Sequence, residues 1–236
     1  MSINLGNAAV EVAGESALIV YLNEHSLIET SRKVAQLKMV LSKYLADKVT
    51  EFIPSYNSLL VVFDPYKTDY FEVRNTVNAH LTSLEAAGDT SSTVIELPVF
   101  YSPQSGPDLD RIANKANLTI DEVIDLHQAK TYQVFALGFA PGFAFLGEVD
   151  ERIAMPRLAT PRKKVPKGAV GIADQQTAIY PSESPGGWNL IGLCPIALFD
   201  ATKAPHVPFS VGDSVKFTRI SEQEFLALGG ALDHEY

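Results

Sequence analysis

At 236 residues, 46% of them apolar and 20% charged, the chain has the composition of a soluble globular protein with room for one large domain or two modest ones, which excludes extended disorder. A net charge of −9 excludes a general nucleic-acid binder, whose phosphate contacts need a basic surface. A single cysteine, Cys194, excludes an internal disulfide, and the opening Met1-Ser2-Ile3-Asn4-Leu5 lacks the basic start of a signal peptide, so a cytoplasmic location is expected.

In chain order, residues 10–13 and Ala17–Leu22 read as strands about a Gly14-Glu15 turn. Ser26 followed by Glu29 has capping-box spacing, and Val34, Leu37, Leu41, Tyr44 and Leu45 carry a helical period to about Ala46. Val49–Ile53 and Ser58–Phe63 predict a hairpin through Pro54–Asn57, and a second helix from about Asp69 aligns Tyr70, Val73, Val77, Leu81 and Leu84. Two helices over one face of an antiparallel sheet make a small α+β domain, residues 1–92, bounded by the polar run Gly88–Ser92 and expected to serve docking or scaffolding. His25 and His80 stand alone in this half and read as solvated surface residues.

The second domain, residues 93–236, opens with a strand over Thr93–Tyr101. Pro107 and its acidic neighbours start a short helix that Asn117-Leu118 stops, and Thr119 with Glu122 caps the next, which runs to about Lys130. Strand-length apolar runs then alternate with turns: Tyr132–Leu137, Ala169–Ala173, Thr177–Tyr180, Trp188–Leu193, Ile196–Phe199 and Ser214–Ile220, with Val211–Asp213 as the last hairpin turn. That spacing predicts an all-β barrel or sandwich. Ser221 and Glu224 cap a terminal helix, and Gly229 onward is expected to fray. Thr131–Gly147 is seventeen residues without a charge, but Pro141 and three glycines break it, so no membrane span is expected.

Residues 137–195 hold 7 of the 14 prolines and 8 of the 15 glycines, beside several aromatics, which predicts rigid, specified turns and hence a site. Within them lies a basic arm, Arg152, Arg157, Arg162, Lys163, Lys164 and Lys167, over sixteen positions free of acid. An arginine can hold a carboxylate or phosphate with two hydrogen bonds, whereas the three lysines read as a solvated face.

The second half resembles the family variously called allophanate hydrolase subunit 1, KipI and the B-type subunit of 5-oxoprolinase. The match runs through Gly106–Leu109, His127, Leu137-Gly-Phe-Ala-Pro-Gly-Phe143, Pro156-Arg157, Thr160-Pro-Arg162, Val165-Pro166, Gln176-Thr177, Ile179–Pro181, Ser184-Pro-Gly-Gly-Trp188 and Leu190–Gly192. A looser match through Gly14–Leu18 and Pro54–Asp64 extends it over nearly the whole chain. The resemblance implies a ferredoxin-like sandwich followed by a cyclophilin-like β-barrel. It also implies a paralogous partner, KipA or the C-type subunit of 5-oxoprolinase, and a third, lactam-hydrolase component. Where relatives often read Gly-Gly-x-Gln-Thr-Gly, this chain has Ala173–Ala178, and Leu193-Cys194 replaces a polar position, so 174, 178, 193 and 194 leave the candidate ligand set.

Candidate substrate-binding residues are Phe139, Phe143, Arg157, Arg162, Gln176, Thr177, Tyr180 and Trp188. Pro156 and Pro161 stiffen the backbone before Arg157 and Arg162, which reads equally as a ligand grip or a structural pair. Trp188 after Pro185-Gly-Gly187 reads as a groove wall or a barrel plug, and Gln176 and Thr177 as ligand hydrogen bonds or turn supports. Phe145 reads as core. His127 near a helix end reads as a core or capping residue, with general acid or base as the alternative; with Arg162 it is the candidate for a catalytic role. Cys194 reads as a buried hydrophobe.

No phosphate loop, metal-ligand spacing or nucleophile elbow is present. The resemblance implies ATP with Mg, expected at the level of a complex because no cofactor or metal site is evident in this chain alone. The resemblance makes the leading expectation a non-autonomous subunit of an ATP-dependent 5-oxoprolinase that converts 5-oxo-L-proline to L-glutamate. The alternatives are a KipI-like inhibitor whose partner is a sensor histidine kinase, an allophanate-type amide hydrolase subunit, and prolyl isomerisation by the barrel.

Overall fold

A computed structural model describes residues 3–5, 8–81, 84 and 94–232. They belong to two compact units, Met1–Ser91 and Ser92–Tyr236. The expected boundary run Gly88–Ser92, the strand start at Thr93 and the last four residues of the expected frayed end lie outside the described residues.

The smaller unit runs β1 (Ile3–Leu5), β2 (Ala8–Val12), β3 (Ala17–Leu22), α1 (Leu27–Tyr44), β4 (Val49–Ser55), β5 (Ser58–Phe63) and α2 (Tyr70–Leu81). Its antiparallel sheet has the order β1-β2-β3-β5-β4. Alternation sends Leu18, Val20 and Leu22 of β3 and Leu59, Val61 and Phe63 of β5 to one face, where Val34, Leu37 and Leu41 of α1 and Val73 and Val77 of α2 meet them. The Ser26 side chain caps α1 by accepting from Glu29 N–H at 3.2 Å. Strand β4 continues through Pro54, which was expected to begin the turn. As an edge strand it tolerates a residue that cannot donate to the ladder. His80 is not isolated: its ring lies 4.1 Å from that of Tyr44.

The larger unit continues with β6 (Val94–Val99), α3 (Leu109–Ala116), α4 (Ile120–Ala129), β7 (Thr131–Leu137), β8 (Ala144–Gly147), β9 (Arg162–Val165), β10 (Ala169–Ala173), β11 (Gln176–Ile179), β12 (Ser184–Gly186), β13 (Asn189–Leu193), β14 (Ser214–Arg219) and α5 (Glu222–Ala227). Seven strands form one sheet in the order β13-β10-β11-β8-β7-β14-β6. Just beyond β6, Phe100 exchanges hydrogen bonds with Leu193 at the end of β13, N···O 2.8 and 3.0 Å, so the sheet is a nearly closed barrel. Strands β9 and β12 form a separate two-stranded ribbon.

Strand alternation gives the barrel wall two apolar faces. Val170, Ile172, Ile179 and Ile191 join the larger core with Leu109, Ile112, Val123 and Ile124 of α3 and α4. Ala169, Ala173, Ala178 and Leu190 turn to the opposite face, where they meet Phe143, Tyr180 and Trp188. The small residues on that face leave room for rings.

Several expectations change. Thr131–Gly147 is β7, a tight turn and the extra strand β8, so its lack of charge reflects burial in a sheet; among the described residues no helix is long and apolar enough to cross a membrane. Ile196–Phe199 forms no strand, and Val211–Asp213 is a turn entering β14 with no preceding partner strand. Strand β14 instead pairs parallel with β6 and antiparallel with β7, pairings that join distant segments. The acid at Asp108 makes no side-chain cap to α3, because its carboxylate is turned elsewhere.

Candidate functional site

The Gly/Pro-rich segments converge on a groove of about 400 Å³ on the aromatic face of the barrel wall. Phe139 and Phe143 come from the β7–β8 turn, Phe145 from β8, Arg157 and Pro161 from the segment before β9, Tyr180 from just after β11, and Pro185, Gly186, Gly187 and Trp188 from β12 and the approach to β13. A volume of this size suits a small molecule.

Phe143 is the hub of the wall. Its ring lies edge-to-face with Trp188 at 5.8 Å, Tyr180 at 5.5 Å, Phe145 at 4.8 Å and Phe139 at 5.1 Å. Phe143, Tyr180 and Trp188 are buried, so the walls are rigid. Phe139 differs: it is 68% exposed at the lip and has φ of 70°, a left-handed conformation that a bulky side chain rarely adopts. Close packing is also written into Gly186, where an added Cβ would collide with the Tyr180 hydroxyl. That hydroxyl bonds the backbone of Trp188, and burial raises its pKa above the usual tyrosine value, a rise moderated by that bond and by Arg157 and Arg162.

Of the basic arm, only Arg157 enters the groove. Its guanidinium carbon sits 5.8 Å from the centre of the Trp188 ring, a cation–π distance. The backbone on either side is held: Asn189 Nδ2 donates to Pro156 O at 3.0 Å, and Leu158 N–H donates to Gly187 O at 2.7 Å. Asn189 is itself fixed by donating to Ile172 O and accepting from Arg111.

Arg162 is not a groove residue. It is largely buried and donates from Nη2 to Asp108 Oδ1 at 2.9 Å. Its candidate substrate-binding and catalytic roles give way to a structural ion pair that ties β9 to the start of α3. Arg152 is similarly engaged, to Asp150 at 2.9 Å. Lys163, Lys164 and Lys167 are exposed, as expected of a solvated face.

His127 is fully buried. Nδ1 accepts from the Tyr101 hydroxyl at 2.8 Å, and Nε2 bonds Thr177 Oγ1 at 2.9 Å; because Thr177 donates onward to Gly171 O, the ring carries its proton on Nε2. Burial lowers its pKa to about 3, so it stays neutral, and both ring nitrogens are already engaged, by Tyr101 and Thr177. Thr177 is therefore a support for His127, and Gln176, half-buried at the start of β11, does not line the groove. Cys194 is buried and its thiol is pushed up to about 11 by burial.

Sequence reasoning missed Phe145, which was expected in the core yet is half-buried and lines the groove. Its signal was present: Phe143 and Phe145 are two apart on an extended segment and so share a face. Asn189 and Asp108 were also missed, because their partners are far away in sequence.

Residues 8–209 match the family described as carboxyltransferase domain, subdomain C and D. The chain is 37% identical over 232 residues to the B-type subunit of 5-oxoprolinase from Bacillus subtilis, covering 92% of this chain and 95% of that protein. It is 34% identical over 206 residues to the B-type subunit of 5-oxoprolinase from Escherichia coli O157:H7, covering 86% and 92%. Among solved structures it is similar to TTHA0988, with a TM-score of 0.75 and 32% identity over 87% of this chain; it spans 40% of the length of that chain.

Proposed function

The chain belongs to the carboxyltransferase domain, subdomain C and D family, and from that premise we propose that it is the B-type subunit of a cytoplasmic, ATP-dependent 5-oxoprolinase that opens 5-oxo-L-proline to L-glutamate. The observation that carries this reading is the nearly end-to-end likeness to two proteins named as that subunit of 5-oxoprolinase. The groove is the part of the complex's substrate site that this chain contributes, with Phe139, Phe143, Arg157, Tyr180 and Trp188 as its binding residues.

The residues lining the groove do not fit ATP. Arg157 is the one cation among them, the rest being rings, prolines and glycines, and among the described residues no group of three His, Cys, Asp or Glu side chains is placed to hold a metal ion. ATP with Mg is read as a requirement of the assembled complex, a reading supported by the likeness to subunits of 5-oxoprolinase. A paralogous protein, KipA or the C-type subunit of 5-oxoprolinase, completes it together with a lactam-hydrolase component.

The smaller unit is read as a ferredoxin-like docking domain. Helix α1 connects β3 to β4 with β5 paired between them, a split β-α-β arrangement, and β2 takes the remaining position beside β3. The larger unit is read as a cyclophilin-like barrel. Reconstitution tests the functional reading: with both partners, ATP and 5-oxoproline, glutamate should form only when this chain is present. Full turnover without it overturns the proposal.

A further inference from the structure

The three arginines of the basic arm differ in one respect that bears on ligand chemistry. Arg152 is held by Asp150 and Arg162 by Asp108. Arg157 has no carboxylate partner among the described residues, although the chain carries 28 acidic residues against 19 basic ones. Such a guanidinium would ordinarily swing freely in water. Here its backbone is pinned on both sides, by Asn189 on Pro156 O and by Gly187 on Leu158 N–H, and its planar head lies toward the Trp188 face. The side chain is exposed, but with its backbone fixed and its head beside a ring, a guanidinium without a carboxylate at the edge of a cavity walled by rings has only its own torsions left to order on binding.

We propose that the groove is a receptor for a small monocarboxylate carrying a compact, flat ring, in which Arg157 takes the carboxylate and the Phe143, Phe145 and Trp188 rings take the ring body. Arginine matches a carboxylate with two parallel N–H donors. The edge-to-face rings offer an apolar slot with no second cation, which selects one negative charge and rejects a dianion or a polyphosphate. A five-membered lactam bearing one carboxylate has this chemistry, and the choice of 5-oxoproline as probe rests on the function proposed above. Arg157 is thus a specificity-determining residue, and Asn189 a positioning residue that acts through it.

Trp188 is the sole tryptophan of the chain and lies in the groove wall, so its fluorescence reports occupancy directly. The full chain is titrated with 5-oxoproline and with 2-pyrrolidinone, the same lactam without the carboxylate. The expected result is saturable change with 5-oxoproline and binding of 2-pyrrolidinone weaker by roughly tenfold to a hundredfold, the range of a charge-assisted hydrogen-bond pair. Arg157→Gln should bind both equally weakly, and Arg157→Lys should recover part of the discrimination. Equal affinity of the native chain for the two lactams overturns the proposal, as does discrimination that survives in Arg157→Gln.

The reconstituted complex supplies a second readout. Arg157→Gln should raise KM for 5-oxoproline by about tenfold or more with kcat within about twofold. If neither lactam changes the fluorescence and KM is unchanged or no turnover exists to measure, the proposal fails. Turnover with an unaltered KM in Arg157→Gln overturns the carboxylate site and leaves the oxoprolinase reading intact. Discriminating binding by the isolated chain without any glutamate formation does the reverse.

Discussion

Arg162 donates to Asp108 Oδ1 at 2.9 Å while Oδ2 of the same carboxylate accepts from Leu190 N–H at 2.7 Å, so one buried acid joins the ribbon strand β9, the start of α3 and the barrel strand β13. Removing one partner leaves the other's charge buried and unpaired. Arg162→Ala should therefore destabilise the protein by about 3 kcal/mol or more, and the double variant with Asp108→Ala should cost less than the sum of the single changes. Urea unfolding of the four members of the cycle measures this; additive losses would show that the pair is not coupled.

His127 makes stability depend on pH in a defined direction. Its folded pKa of about 3 lies below the ordinary 6.5, so between these values the unfolded chain binds the proton more readily and acid favours unfolding. The neutral ring's contribution is fully present above pH 6.5 and is lost as pH falls toward 3; at 1.36 kcal/mol per pH unit it is on the order of 5 kcal/mol. The free energy of urea unfolding, measured from about pH 7 down to about 4.5, should fall less steeply in His127→Gln than in the native protein. Parallel curves would mean that the histidine titrates alike in both states.

Phe139 combines exposure with a φ of 70°. Asparagine accepts that backbone conformation more readily than phenylalanine does. Phe139→Asn should hold or raise folding stability, by up to about 1 kcal/mol, while the lost lip ring weakens substrate capture by the complex. Chemical denaturation and the KM of the reconstituted enzyme check the two halves separately.

Cys194 should be inert. Its thiol is 3% exposed and burial pushes it up to about 11, so little thiolate exists near neutral pH. Reaction with a disulfide reagent should be slow in the native protein and fast in denaturant, followed by the absorbance of the released thiolate; rapid native labelling would place the residue in an accessible pocket.

The sequence by itself determined what is encoded within a few residues. Ser26, Thr119 and Ser221 begin α1, α4 and α5 as their capping spacings predict, and Asn117 ends α3 in a left-handed conformation, because the cap and its donor lie within one turn. Most strand cores, the density of turns between 137 and 195 and the family resemblance were legible for the same reason. Only the tertiary structure decided which candidates share the groove. Arg157 and Arg162 look alike in sequence, each directly after a proline, yet Arg162 meets an acid 54 residues away and Arg157 meets a ring wall. His127 meets Thr177 across 50 residues, and Asn189 holds Pro156 across 33. Whether a charge is paired, an imidazole desolvated or an arginine aimed depends on what the closed sheet brings beside it, and that proximity is absent from any local pattern.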